Sequence, residues 1–250
     1  MSAVAIALLA FALLLGSATG AMALRKLLPS HHFADDSKDA LKAGLAVIGT
    51  IGGLVLGLLV AAATGSYNTQ RGYVVQMAAE IDLLDRALAH YGSEARPVRD
   101  ELRVTAQRIL LQMWPSSGRS LSAVPGGARN EELFDRLEDL SPKSPAQTSV
   151  KQIAINLVLD IARTRYLIAA QLDTTVSSPL LVMLVFWFCV TFAGIGVFAP
   201  RNVTTVSGIA LCALAIAGAI FVVLEMYAPF GGVMRIPSAA LEDAIGRLGR

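Results

Sequence analysis

Apolar positions in this chain arrange themselves in two ways. In some stretches they run on without interruption, and in others they return every third or fourth residue. Uninterrupted runs free of charge cover Met1–Leu24, Ala43–Gln70, Thr174–Pro200 and Asn202–Leu224, four windows of 23 to 28 residues. A helix needs ~20 apolar residues to cross a bilayer core, so each window predicts a membrane-spanning helix. Barrel strands would alternate apolar and polar residues instead. The expected architecture is therefore all-α. It has spans at about 2–24, 43–65, 178–200 and 203–225, and a helical extramembrane insert between the second and third.

Within the second window, Gly49, Gly53, Gly57, Ala61 and Gly65 recur every fourth position. That spacing places them on one helix face, a groove almost without side chains. Lipid offers little hydrophobic force between helices, so close backbone approach along such a face favours association. Leucine at Gly53 or Gly57 is accordingly expected to loosen packing. If that face is structural, a pore would lie on the side of Ile51, Leu54 and Leu58. Gly208, Cys212, Ala215 and Ala219 form a second small-residue face on the fourth span.

The periodicity does not stop at Gly65. Val74, Met77, Ile81, Leu84, Leu88 and Tyr91 step by 3, 4, 3, 4 and 3, a heptad seam that predicts a membrane helix continuing to Gly92. Such a seam is either a core stripe or an intersubunit coiled coil. Pro97 suits the first turn of the next helix, with Val98, Leu102, Ala106, Ile109, Leu110 and Met113 inward. A turn-rich loop is expected at about 115–129. Asn130 would cap a short helix with Leu133, Leu137 and Leu140 inward. A further helix from about Ala146 should bury Ile153, Leu157, Ile161, Ile168 and Leu172. The predicted organisation is a first membrane hairpin (1–65), a helical domain (66–175), a second hairpin (176–228) and an amphipathic surface tail (229–250).

Composition narrows the function classes. Only 16% of residues are charged, against ~25% in soluble domains. Segment 66–173 carries thirteen basic and thirteen acidic residues, leaving no electrostatic reason to bind nucleic acid. Both cysteines, Cys189 and Cys212, fall in apolar runs and read as small packing residues. No phosphate-loop, esterase, zinc or dithiol motif occurs. Neither an enzyme, a cofactor nor a metal is expected.

Polar groups near the membrane supply the remaining candidates. Glu225 lies where the fourth span ends, and His31 and His32 sit in the loop between the first two spans. All three are candidates for an ion- or proton-linked role. Arg163 and Arg165 could contact anions or lipid headgroups, and Asp160 is spaced to pair with Arg163. Arg25 and Lys26 follow the first span directly. The positive-inside rule then tips the termini and the helical domain to the outside.

The segments LVFWFCVTFAGIGVFAPRN (Leu184–Asn202) and LCALAIAGAIFVVLEMYAPFGG (Leu211–Gly232) are similar to the C-terminal signature of the bacterial bestrophin-like family of unknown function. The front half resembles it through LLPSHHFADDSKDALK and LLDRALAHYGSEARPVRDELR (Leu83–Arg103). Family members often carry an acid immediately before the Pro-Phe pair, a position occupied here by Ala228. The resemblance implies a multi-pass protein of the bacterial inner membrane. Bestrophins proper are pentameric anion channels whose second span lines the pore, with termini and helical domain cytoplasmic. The resulting expectation is a homo-oligomeric channel or transport protein for small anions. The alternative is a non-conducting scaffold or sensor whose residues 66–175 bind a protein partner.

Overall fold

The computed structural model describes residues 2–24, 35–114, 131–172 and 177–249. The pair His31–His32, the Asn130 cap and the loop at 115–129 lie outside the described residues. Among these residues eight α-helices run in order: α1 (Ala3–Leu24), α2 (Asp35–Tyr91), α3 (Arg96–Met113), α4 (Glu131–Glu138), α5 (Pro145–Leu172), α6 (Ser178–Phe198), α7 (Val203–Met226) and α8 (Ala239–Arg247). No strand occurs among the described residues. Helices α1, α2, α6 and α7 are each long and apolar enough to cross a membrane. The chain is an all-α protein with four such helices. It divides into two compact units, residues 1–65 with 175–227 and residues 66–174 with 228–250.

In the first unit α1 packs against both α6 and α7. Its buried residues, Ala10, Leu14, Ala18 and Met22, step by four, as do Leu184, Phe188, Phe192 and Gly196 of α6. Small residues recur where these helices meet, because in lipid association depends on backbones coming close. Gly196 is the tightest instance: a Cβ there would collide with the backbone carbonyl of Ala18. Helix α7 buries Ile209, Ala213, Ala217, Ile220 and Val223. Of the expected small-residue face, Ala219 packs against this core, whereas Gly208, Cys212 and Ala215 are exposed within the chain. A helical wheel groups residues by face but does not say which face finds a neighbour.

The turn between α6 and α7 shows what the APRN sequence does. Pro200 follows the end of α6. The Arg201 side chain donates to the Met22 carbonyl, through Nε at 3.0 Å and also through Nη2. It satisfies one of the carbonyls that a helix end leaves without a partner. Asn202 caps α7, its Oδ1 accepting from the Thr205 amide at 2.7 Å. Four consecutive residues thus stop one helix, close a second and start a third.

The second unit has one hydrophobic core. The whole seam from Val74 to Tyr91 is buried in it, together with Val98, Leu102, Ala106, Ile109 and Met113 of α3 and Leu133 and Leu137 of α4. The seam is therefore a core stripe of this chain rather than a coiled-coil face. Gly92, at φ 121°, ends α2 in a conformation that favours glycine.

Two expectations are corrected here. Helix α5 buries Ala154, Val158, Ile161 and Ile168, whereas Ile153 is 52% exposed. The buried arc also includes Thr164, whose hydroxyl donates to Glu80, and Arg165; Ile153 lies toward the exposed N-terminal end of the helix. The C-terminal segment is not a surface tail either. Phe230, Ile236, Leu241, Ala244 and Leu248 all belong to the core. Trp114 anchors it, donating from Nε1 to the Ile236 carbonyl at 2.8 Å and meeting the Phe230 ring edge-on at 5.3 Å between centroids.

The close α1–α6 crossing predicts that Gly196→Ala lowers stability by about 1–3 kcal/mol, the usual range for forcing a methyl into a filled contact. Gly57→Ala, with nothing within 4 Å of the added Cβ, should be tolerated. Thermal unfolding of the detergent-solubilised full chain, followed by circular dichroism, compares the two.

Candidate functional site

Helix α2 is continuous over 57 residues, far beyond the ~20 a bilayer requires. Its membrane portion turns one face to its own chain. Gly49 meets the Thr191 methyl group, its ideal Cβ position 3.5 Å away, and Gly52 meets the Phe188 ring at 3.1 Å. Leu45 of α2 fills the space above Gly194 of α6. Leu56 and Ala63 continue this buried line.

Of the five small residues singled out by spacing, Gly49 alone touches another helix of the same chain through such a contact. A Cβ at Gly53, Gly57 or Gly65 would meet nothing within 4 Å, and Ala61 is exposed beside them. Leu54 and Leu58 are 65% and 63% exposed, and Ile51 is also on the surface. The small-residue stripe and the candidate pore residues thus share one outward side of the helix. The position that does the intrachain packing, Gly52, lies outside the four-residue repeat and was missed for that reason.

The outward side is more regular than either group alone. Leu54, Leu58, Ala61, Gly65, Asn68, Gly72, Val75 and Ala79 are all exposed and step by 4, 3, 4, 3, 4, 3 and 4. This second heptad line lies opposite the buried seam. It carries no charge from Leu54 to Ala79; the next positions in register are Asp82, paired with Arg247, and the exposed Arg86. The signal was present in the sequence, hidden because its apolar, small and amide members do not score as one class.

The remaining candidates separate. Glu225 is buried at the end of α7. Next to it in sequence, Met226 accepts a hydrogen bond from the Thr64 hydroxyl of α2 at 3.5 Å. Arg163 is exposed, but Arg165 is buried within the second unit. Burial pushes the Arg165 guanidinium down from its ordinary value. Asp160 and Arg163 do not form an ion pair among the described residues.

Nor do three His, Cys, Asp or Glu side chains converge there in a metal-binding group. The cavity lined by Ile81, Leu102, Thr105, Ile109 and Val158 is about 20 Å³. It has room for about one water molecule.

Buried polar contacts hold the second unit. Asp85 accepts two hydrogen bonds from Arg99, at 2.7 and 2.8 Å, and one from the Gly249 amide at 3.2 Å. Arg103 donates to the Leu248 carbonyl, and Arg247 pairs with Asp82. Glu80 accepts from Gln76 at 2.8 Å and from the Thr164 hydroxyl at 3.3 Å. These polar positions flank the seam of α2. Apart from Gln76, one turn before Glu80, their partners lie 14 to 165 residues away, so sequence alone gave no hint of them.

The fold so far defines an integral membrane protein with four apolar helices and a helical domain stitched together by the C-terminal segment. A family model, the Bestrophin-like domain, matches residues 11–241, and the chain belongs to that family. No curated protein and no solved structure matches it.

Asp85 yields a prediction with a definite sign. Burial alone would raise its pKa, but the Arg99 hydrogen bonds, the Gly249 amide and the neighbouring positive charges outweigh burial and hold the carboxyl below its ordinary value. A depressed carboxylate contributes stability that is present above its unfolded pKa, about 3.9, and lost as pH falls through the folded value. The second unit should therefore keep its stability down to about pH 4 and lose it below. Asp85→Asn should remove that acid step and destabilise at neutral pH by ~1–3 kcal/mol, since Arg99 loses its partner. Chemical unfolding at pH 7 and pH 3 measures both.

Proposed function

We propose that this chain is the subunit of an oligomeric membrane channel for small anions, with the outward line of α2 facing the axis of a ring. The observation that carries this reading is the exposed, uncharged repeat from Leu54 to Ala79. In lipid, a helix face of small residues favours close approach of neighbouring helices. A ring of such helices would present Ile51, Leu54 and Leu58 as an apolar constriction, a geometry that can gate by dewetting. Beyond it Gly65, Asn68 and Gly72 leave space and an amide donor. Continued in the same register, the line reaches Asp82, which is paired with Arg247, and then the exposed cation Arg86. With the carboxylate paired, the exposed charge on the line is positive, which favours an anion over a cation. Membership of the Bestrophin-like domain family points the same way.

A second reading rests on a different observation. In the second unit Tyr166 is 73% exposed and Leu111 68%, and large apolar groups on a surface can mark protein contacts. A non-conducting scaffold or sensor whose helical domain binds a protein partner would use such positions.

Chloride flux separates the two. Purified full-length protein in chloride-loaded vesicles should release the ion faster than protein-free vesicles. Gly65→Trp, which fills the line below the constriction, should slow that release severalfold. Release no faster than from empty vesicles would sink the channel reading and leave the scaffold.

A further inference from the structure

At the end of the spans where α2 begins and α6 finishes, a groove of about 480 Å³ opens between the two helices. Leu45, Ala46, Gly49, Gly194 and Phe198 line it, with Lys42 at its mouth. Its size falls within the ~300–1,000 Å³ of typical ligand sites. At its floor the two helices fit closely: Gly49 lies against the Thr191 methyl group and Gly194 beneath Leu45. From Lys42 to Gly49 the helix rises about 10 Å, roughly a third of the ~30 Å bilayer core.

We propose that this groove holds the upper part of one acyl chain of an anionic phospholipid, with Lys42 contacting its phosphate. Lys42 is the one charged residue among the described residues lining the groove. The order of groups, a cation above an apolar trough, is the order of an anionic lipid from headgroup to tail. A helix from a second copy seated there would cover Lys42 with apolar surface, whereas a lipid brings its own counter-charge. Asp39 pairs with Lys42 at 3.2 Å, but both side chains are mostly exposed, so solvent screens the pair and leaves the ammonium open to a phosphate. Basic residues close to a membrane surface attract anionic headgroups in this way.

Native mass spectrometry of the full chain extracted in mild detergent, with phosphatidylglycerol or phosphatidylcholine added, tests the assignment. Wild type should retain phosphatidylglycerol severalfold better. Lys42→Gln should reduce that retention about fivefold, the equivalent of the ~1 kcal/mol that one basic residue contributes near a membrane surface. Lys42→Arg should restore it. Ala46→Phe, at an exposed position within the groove, should abolish retention of both lipids. Unchanged lipid selectivity in Lys42→Gln and Ala46→Phe would overturn the proposal. So would a change of oligomer size in Ala46→Phe with lipid retention intact, because a second copy would then cover the groove.

Discussion

Helix α2 meets two demands along one unbroken set of backbone hydrogen bonds. Inside lipid every N–H and C=O must be satisfied within the helix, because no water is there to take them. Beyond Gly65 the same helix has to supply the central strip of a water-exposed domain, which requires a continuous apolar seam. Continuity is what makes both possible: the hydrogen-bond ladder covers the first demand, and the 3–4 spacing of Val74 to Tyr91 covers the second. The opposite side of the helix is exposed, and from Leu54 to Ala79 it is uncharged and regular.

Around that helix the two units cohere by different physics. The first gains little from hydrophobic burial, since lipid is as apolar as leucine, and relies on close fits such as Gly196 under the Ala18 carbonyl and Gly52 under Phe188. The second excludes water and gains from burial in the ordinary way. It adds charged hydrogen bonds at the core edge, of which Asp85 with Arg99 and Gly249 is the most complete. The balance of thirteen acids and thirteen bases in segment 66–173 thus does more than keep that segment neutral, since several of these charges are spent on internal pairing.

The two short signatures near the C-terminus become intelligible as devices that close chain ends. In APRN the proline stops a helix, the arginine closes the carbonyl end of α1 and the asparagine starts α7. In PFGG the Phe230 ring packs on Trp114, the Pro229 carbonyl accepts from the Ile236 amide at 2.7 Å, and Gly232 takes φ 88°. That turn returns the chain to the helical domain, so the last twenty residues serve the core. A family signature of this kind marks where the path of the chain must change, and therefore transfers architecture more directly than activity.

The sequence by itself determined the four apolar helices, the continuation of α2 past the membrane portion and the seam that the second unit buries. Those features follow from local rules: an uninterrupted apolar run is costly in water, and a 3–4 repeat has one geometric solution. Tertiary structure decided which faces are used. In lipid, hydrophobicity does not distinguish a packed face from an exposed one, so nothing local singled out Gly52 over Gly53, or Ala213 over Cys212. In the second unit α5 buries Thr164 and Arg165 beside Ile161 and Ile168, and the partner of Thr164, Glu80, is remote in sequence. The fate of the C-terminal segment turned on Trp114 and Asp85, more than a hundred residues upstream. Sidedness on a helix is a property of neighbours, and neighbours exist only once the chain has folded.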